Sequence, residues 1–123
     1  MTGIAVRPHR IGIRVPDRRL AEEHLAAFNG SARAVGVSNC TDGLRLLAHA
    51  LDVGPGDEVV TVAHTFVATM SPFVLRGAKP VLVDIGDDHL MDTSLLAGAV
   101  TEKTRVIIPV HLNGRTVDMA AVQ

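Results

Sequence analysis

GDEVVTVAHTFVATMSPFVLRGAKPVLVDI, residues 56–85, decides the fold. EVVTV and KPVLV are short apolar runs rich in β-branched residues, with the length of buried strands. Between them TFVATMSPFVLRGA has helical character but contains Pro72. A proline inside a helix removes one backbone bond and costs about 3 kcal/mol, so this helix is expected to start late or to kink. Strand, helix and strand in this order predict a right-handed crossover between parallel strands.

The pattern continues on both sides. Downstream, LLAGAV reads as a short helix, TRVIIPVHL as another strand, and TVDMAAVQ as the start of a further helix. Upstream, LRLLAHAL repeats Leu44, Leu47, Ala48 and Leu51 at helical spacing, ARAVGV reads as a short buried strand, and LAEEHLAAF as a helix stopped at Asn29-Gly30. The chain is therefore expected to be α/β, a three-layer αβα arrangement around a mainly parallel sheet. Residues 1–19 differ in kind. They hold five arginines against one acid, Asp17, and are broken by Pro8 and Pro16, which predicts a basic, loosely ordered lead-in before a domain over 20–123.

Composition narrows the function classes. The chain has 123 residues, 47% apolar and 20% charged, as an ordinary globular protein does. A net charge of −1 offers no general attraction to nucleic acid or to an acidic membrane. No apolar run approaches the ~18 residues of a membrane span, and the single cysteine, Cys40, makes no internal disulfide. A cytoplasmic protein is the expectation.

In parallel α/β sheets ligands bind beyond the carboxyl ends of the strands. SNCTDG (38–43), the turn around Thr65 and Phe66, VDIGDDH and VHLNGR all follow strands and are expected at that edge, while GPGD, GAKP and TEKT precede strands and belong to the opposite one. A loop that opens a helix presents free backbone N–H groups and the positive end of the helix dipole, and Ser38, Asn39 and Thr41 add side-chain donors. That combination suits phosphate. A capped turn is the plainer reading of the same residues. Phe66 is equally two-sided: it could stack on a flat ring or fill the core.

Other matches are weaker. No GxGxxG or GxxxxGK[ST] is present. The six histidines show no paired ligand spacing, so no metal site is expected. Asp84, Asp87, Asp88, His89 and Asp92 read as a solvated turn, with Asp92 or Thr93 capping the next helix. A cysteine nucleophile at Cys40 would need His64 or His111 to approach it from neighbouring strand ends.

AVGVSNCTDGLRLLAHAL, VGPGDEVVTVAHTFVAT, GAKPVLVDI and TRVIIPVHLNGRTVDM, in this order and spacing, resemble the DegT/DnrJ/StrS sugar aminotransferases. These are fold-type-I enzymes dependent on pyridoxal phosphate. The resemblance implies that this chain is part of the large domain of such an enzyme. It implies that the loop at Asn39, Cys40 and Thr41 holds the cofactor phosphate through backbone N–H groups, and that Phe66 stacks on the pyridine ring. It further implies a nucleotide-linked keto-sugar and glutamate as substrates, and a homodimer.

The sequence departs from the family at Cys40, commonly glycine, at Gly43, commonly alanine, at Asn113, commonly aromatic, and at Arg115, often glutamine. A cysteine where the backbone requires positive φ would be strained, and its side chain would crowd the phosphate. The family's Schiff-base lysine and the aspartate that pairs with the pyridinium match segments beyond Gln123. Lys79 and Lys103, the only lysines, each precede a strand and are expected at the edge away from the cofactor. No residue of this chain is thus expected to be catalytic. A transamination-inactive N-terminal fragment is the expected reading, and a non-catalytic βα module that binds a phosphorylated ligand or an aminotransferase subunit is the alternative. The family topology also separates the strand matching ARAVGV from the other three. EVVTV and TRVIIPV are then expected as neighbours, with ARAVGV either moving across to pair with TRVIIPV or poorly ordered.

Overall fold

The computed structural model describes residues 17–123. Helix α1, Arg18–Asn29, is capped by Asp17, whose carboxylate accepts the Leu20 N–H at 3.2 Å. It ends at Gly30, which adopts φ +65° and returns its N–H to the carbonyls of the last turn. The basic lead-in expected over residues 1–19 lies, up to residue 16, outside the described residues. Arg18 and Arg19 open α1, where they face Glu22 and Glu23 one turn on.

Three strands make the sheet, β1 Glu58–Val62, β2 Lys79–Val83 and β3 Thr104–Ile107, in the order β2-β1-β3 and all parallel. EVVTV and TRVI are neighbours, as expected. β1 lies in the middle and is buried along its whole length. Its alternating side chains feed two cores. Val59 packs with Leu44 and Ala48 of helix α2, Cys40–Ala50, and with Phe73 of helix α3, Ser71–Val74. On the other face Val60 and Val62 meet Leu90, Met91, Val117 and Leu96, the last from helix α4, Leu96–Ala99. Helices on both faces of a parallel sheet give the α/β layering expected from the sequence.

Pro72 acts as a late start. A 3-10 turn at Val67–Thr69 follows β1, and α3 begins only at Ser71 with the proline in its first turn, where no amide is needed. Asp92 caps the turn before α4, accepting from Ser94 N–H at 3.0 Å, and Asp118 caps the last helix, α5, Met119–Val122. Gly77 is required at the entry to β2. It has φ +93°, and a Cβ there would stand 2.9 Å from Pro55 Cγ.

ARAVGV is not a buried strand, which corrects the expectation. The segment is irregular, Val35 is 71% exposed, and no strand of the described residues lies beside it. Backbone groups of an extended segment need partners, and here side chains of α1 supply them. Glu22 accepts the Gly36 N–H at 2.6 Å, and Arg18 donates to the Gly36 carbonyl at 2.8 Å. Placement of the following loop therefore rests on α2 instead. The C-terminal end of α2 meets the amino ends of the strands: Arg105, in β3, donates to Leu51 O, and Gly54 to Asp57 turns directly into β1. Eleven helical residues and five strand residues both span about 16 Å. The helix thus runs back across the sheet and brings its N-terminus to the carboxyl edge, where the 3-10 turn after β1 packs against it.

Candidate functional site

Asn39 is the N-cap of α2, and its Oδ1 accepts the Asp42 N–H at 2.9 Å. Its carbonyl takes the Gly43 N–H at 3.1 Å. Asp42 answers across the same turn: its Oδ2 accepts from the Ser38 hydroxyl and from Asn39 Nδ2 at 2.8 Å, and Arg45 stands 3.5 Å from its other oxygen. The Ser38 hydroxyl, then Asn39 and Arg45, hold the Asp42 carboxyl below the ordinary carboxylate range. Side-chain donors of Ser38 and Asn39 are thereby engaged within the loop. Among the described residues, the N–H groups of Cys40 and Thr41 have no acceptor. What remains at this helix end is a pair of open amides at the positive end of an eleven-residue helix. That donor set fits a phosphate group.

Cys40 is exposed and is not among the residues with positive φ, so the thiol sits in the first helical turn without the backbone strain considered above. Among the described residues, no histidine is hydrogen-bonded to it. His64 stacks on His89, ring centroids 5.7 Å apart, and His111 Nδ1 accepts the Val117 N–H at 3.1 Å. The geometry of a cysteine nucleophile is therefore not assembled among the described residues.

Phe66 follows β1 at the same edge, immediately before the 3-10 turn that packs on α2, and is 69% exposed. It does not fill the core. Thr65 fixes the turn, sharing a hydroxyl hydrogen bond of 2.9 Å with Thr69. Between the carboxyl ends of β1 and β2 lies an open cleft of about 290 Å³, lined by Ala63, His64, Val83, Asp84 and Ile85. Arg115, beyond β3, donates to Asp88 O at 2.9 Å and so ties the third strand end to this edge. Strand order alone placed these segments together. The His64–His89 stack carried no sequence signal, because the two rings come from different strand ends 25 positions apart.

Both lysines lie at the opposite edge. Lys79 opens β2 and donates from Nζ to Glu58 at 2.9 Å, and Lys103 precedes β3, its carbonyl accepting the Glu58 N–H at 2.8 Å. Glu58 itself is only 7% exposed and also accepts from Thr101 Oγ1 at 2.7 Å. Sequence reading placed this carboxylate at the start of EVVTV and missed its burial and its partners. Among the described residues, no group of three or more histidine, cysteine or acidic side chains could hold a metal ion, and no helix is long and apolar enough to cross a membrane.

A family model for the DegT/DnrJ/EryC1/StrS aminotransferase family matches residues 9–123. The chain belongs to this family. Among its members, the UDP-4-amino-4-deoxy-L-arabinose–oxoglutarate aminotransferase of Shewanella sediminis (strain HAW-EB3) is 43% identical over 102 residues, covering 82% of this chain and 26% of its own length. The dTDP-3-amino-3,4,6-trideoxy-alpha-D-glucose transaminase of Micromonospora megalomicea subsp. nigra is 46% identical over 103 residues, 83% of this chain and 28% of its own. The PLP form of Spr1654 from Streptococcus pneumoniae superimposes with a TM-score of 0.81 at 40% identity, over 92% of this chain and 30% of that one. This member of the DegT/DnrJ/EryC1/StrS family thus spans little more than a quarter of the length of the curated relatives it matches.

Proposed function

We infer that this chain supplies the N-terminal part of an aminotransferase large domain that binds pyridoxal phosphate and serves amino transfer to a nucleotide-linked keto-sugar. The observation that carries the reading is the meeting of two features at one sheet edge: the open Cys40 and Thr41 amides at the start of α2, and an exposed Phe66 beside the 3-10 turn packed on that helix. In this reading the amides and the Asn39-capped turn hold the cofactor phosphate, and Phe66 covers a face of the pyridine ring. Pyridoxal phosphate, when bound, supplies an electron sink for amino-group chemistry. Glutamate as donor, a second copy of the chain as partner and a cytoplasmic setting complete the reading, supported by the family.

These 123 residues alone do not transaminate in this reading. Amino transfer needs a lysine that can reach the cofactor and move a proton at the substrate carbon. Lys79 and Lys103 are held at the far edge, Lys79 in an ion pair with Glu58. Titration with pyridoxal phosphate is expected to quench the cofactor's fluorescence without producing the visible absorbance of a protein-linked Schiff base. An absorbance band that is lost in Lys79→Ala or Lys103→Ala would overturn the inactivity. Failure to quench at all would overturn the cofactor site.

A further inference from the structure

We propose that Asp42 is the positioning residue of the phosphate cradle, drawing the Ser38 and Asn39 side chains onto its carboxylate and so fixing the turn that leaves the Cys40 and Thr41 amides open. The inference rests on the cofactor reading above. Asn39 caps the helix through its Oδ1, which accepts the Asp42 N–H, and through its carbonyl, which accepts the Gly43 N–H. What the carboxylate adds is a second, opposed set of bonds: Ser38 Oγ and Asn39 Nδ2 both donate to Oδ2. Without the carboxylate, the Ser38 hydroxyl would rotate among several positions around the helix end and the Asn39 amide would be held at its Oδ1 alone, and ordering them would oppose ligand binding.

The charge of Asp42 is the obvious objection, since a carboxylate near a helix N-terminus competes with an anion. Two features blunt it. Arg45 faces the other carboxylate oxygen at 3.5 Å, and the Ser38 and Asn39 donors occupy the near one. Asp42 is thus turned to the loop's own donors, and its net effect on a bound phosphate is organisation of the turn.

Pyridoxal phosphate affinity, read by cofactor fluorescence, and thermal stability are measured for wild type, Asp42→Ala, Asp42→Asn, Ser38→Ala and the Ser38→Ala/Asp42→Ala double variant. Asp42→Ala is expected to weaken affinity about tenfold, the scale of a lost hydrogen bond to a charged group. Asp42→Asn keeps an acceptor oxygen and is expected to stay within about threefold of wild type. The double variant is expected to lose no more than Asp42→Ala, because that change already breaks the bond that Ser38→Ala removes. Unchanged affinity in Asp42→Ala, or additive losses in the double variant, would sink the proposal while leaving the cofactor site standing. A wild-type chain that does not bind sinks the cofactor reading and this inference with it. If Asp42→Ala does not fold, Ser38→Ala decides alone: a severalfold loss of affinity at unchanged stability supports the role, and wild-type affinity refutes it.

Discussion

Cys40 stands where the family resemblance implies a glycine, and the structure separates two consequences of that exchange. Its backbone is helical, so no strain attaches to the side chain itself. Its bulk, however, lies in the first turn beside two open amides. Cys40→Gly is therefore expected to raise pyridoxal phosphate affinity severalfold in a fluorescence titration, while lowering stability by up to ~1 kcal/mol through the entropy of glycine in a helix. Unchanged affinity would mean that no phosphate approaches this face. The loop's chemistry was legible in the sequence only as a stock of donors. Residue types show what Ser38, Asn39 and Thr41 can donate, not that Asp42 takes two of those groups for itself.

Among the elements, α2 carries the clearest local weakness. Gly43 sits inside this helix, and a Cβ there would meet Val37 Cγ2 at 3.4 Å, an ordinary contact. Gly43→Ala is expected to stabilise the fold by about 0.5–1 kcal/mol in chemical denaturation, by removing the glycine penalty and covering part of a half-exposed valine. Equal stability would show that Val37 must shift to admit the methyl group. The strands EVVTV, KPVLV and TRV were legible because a run of β-branched residues is nearly its own evidence in a buried sheet. ARAVGV has the same look and is no strand, since pairing is a property of neighbours, and Arg18 and Glu22 claim Gly36 from 18 and 14 positions away. TRVIIPV reads as seven strand residues and pairs over four. Ile108 N–H still reaches Val60 O, but Pro109 has no N–H to continue the ladder.

At the scale of the whole molecule, Glu58 joins three stretches of chain at the amino edge: β1, the start of β2 through Lys79, and the turn before β3 through Thr101. The Thr101 hydroxyl first, and then Lys79, hold its carboxyl below the ordinary value. A carboxylate whose pKa is lowered by folding contributes stability that is present above the unfolded value and is lost as pH falls through the folded one. Stability is therefore expected to decline below about pH 4, with Asp42 and Glu22 acting in the same direction. Glu58→Gln should flatten that decline when unfolding is followed between neutral and acid pH, and an unaltered slope would remove Glu58 from the account.

The central position of β1 also bears on the order in which the molecule can assemble. Its partners arrive at different times, β2 after a crossover of some 16 residues and β3 only after Thr104. Until then the most buried strand has one edge bare, and the Glu58 carboxylate lacks the hydrogen bond that the Thr101 hydroxyl donates to it. Non-local parallel pairing of this kind is slow to form and exposes strand edges while it waits. A nascent chain released before Thr104 would hold β1 half paired, so β3 covers the second edge of β1 and ends the interval in which that strand can pair with another molecule.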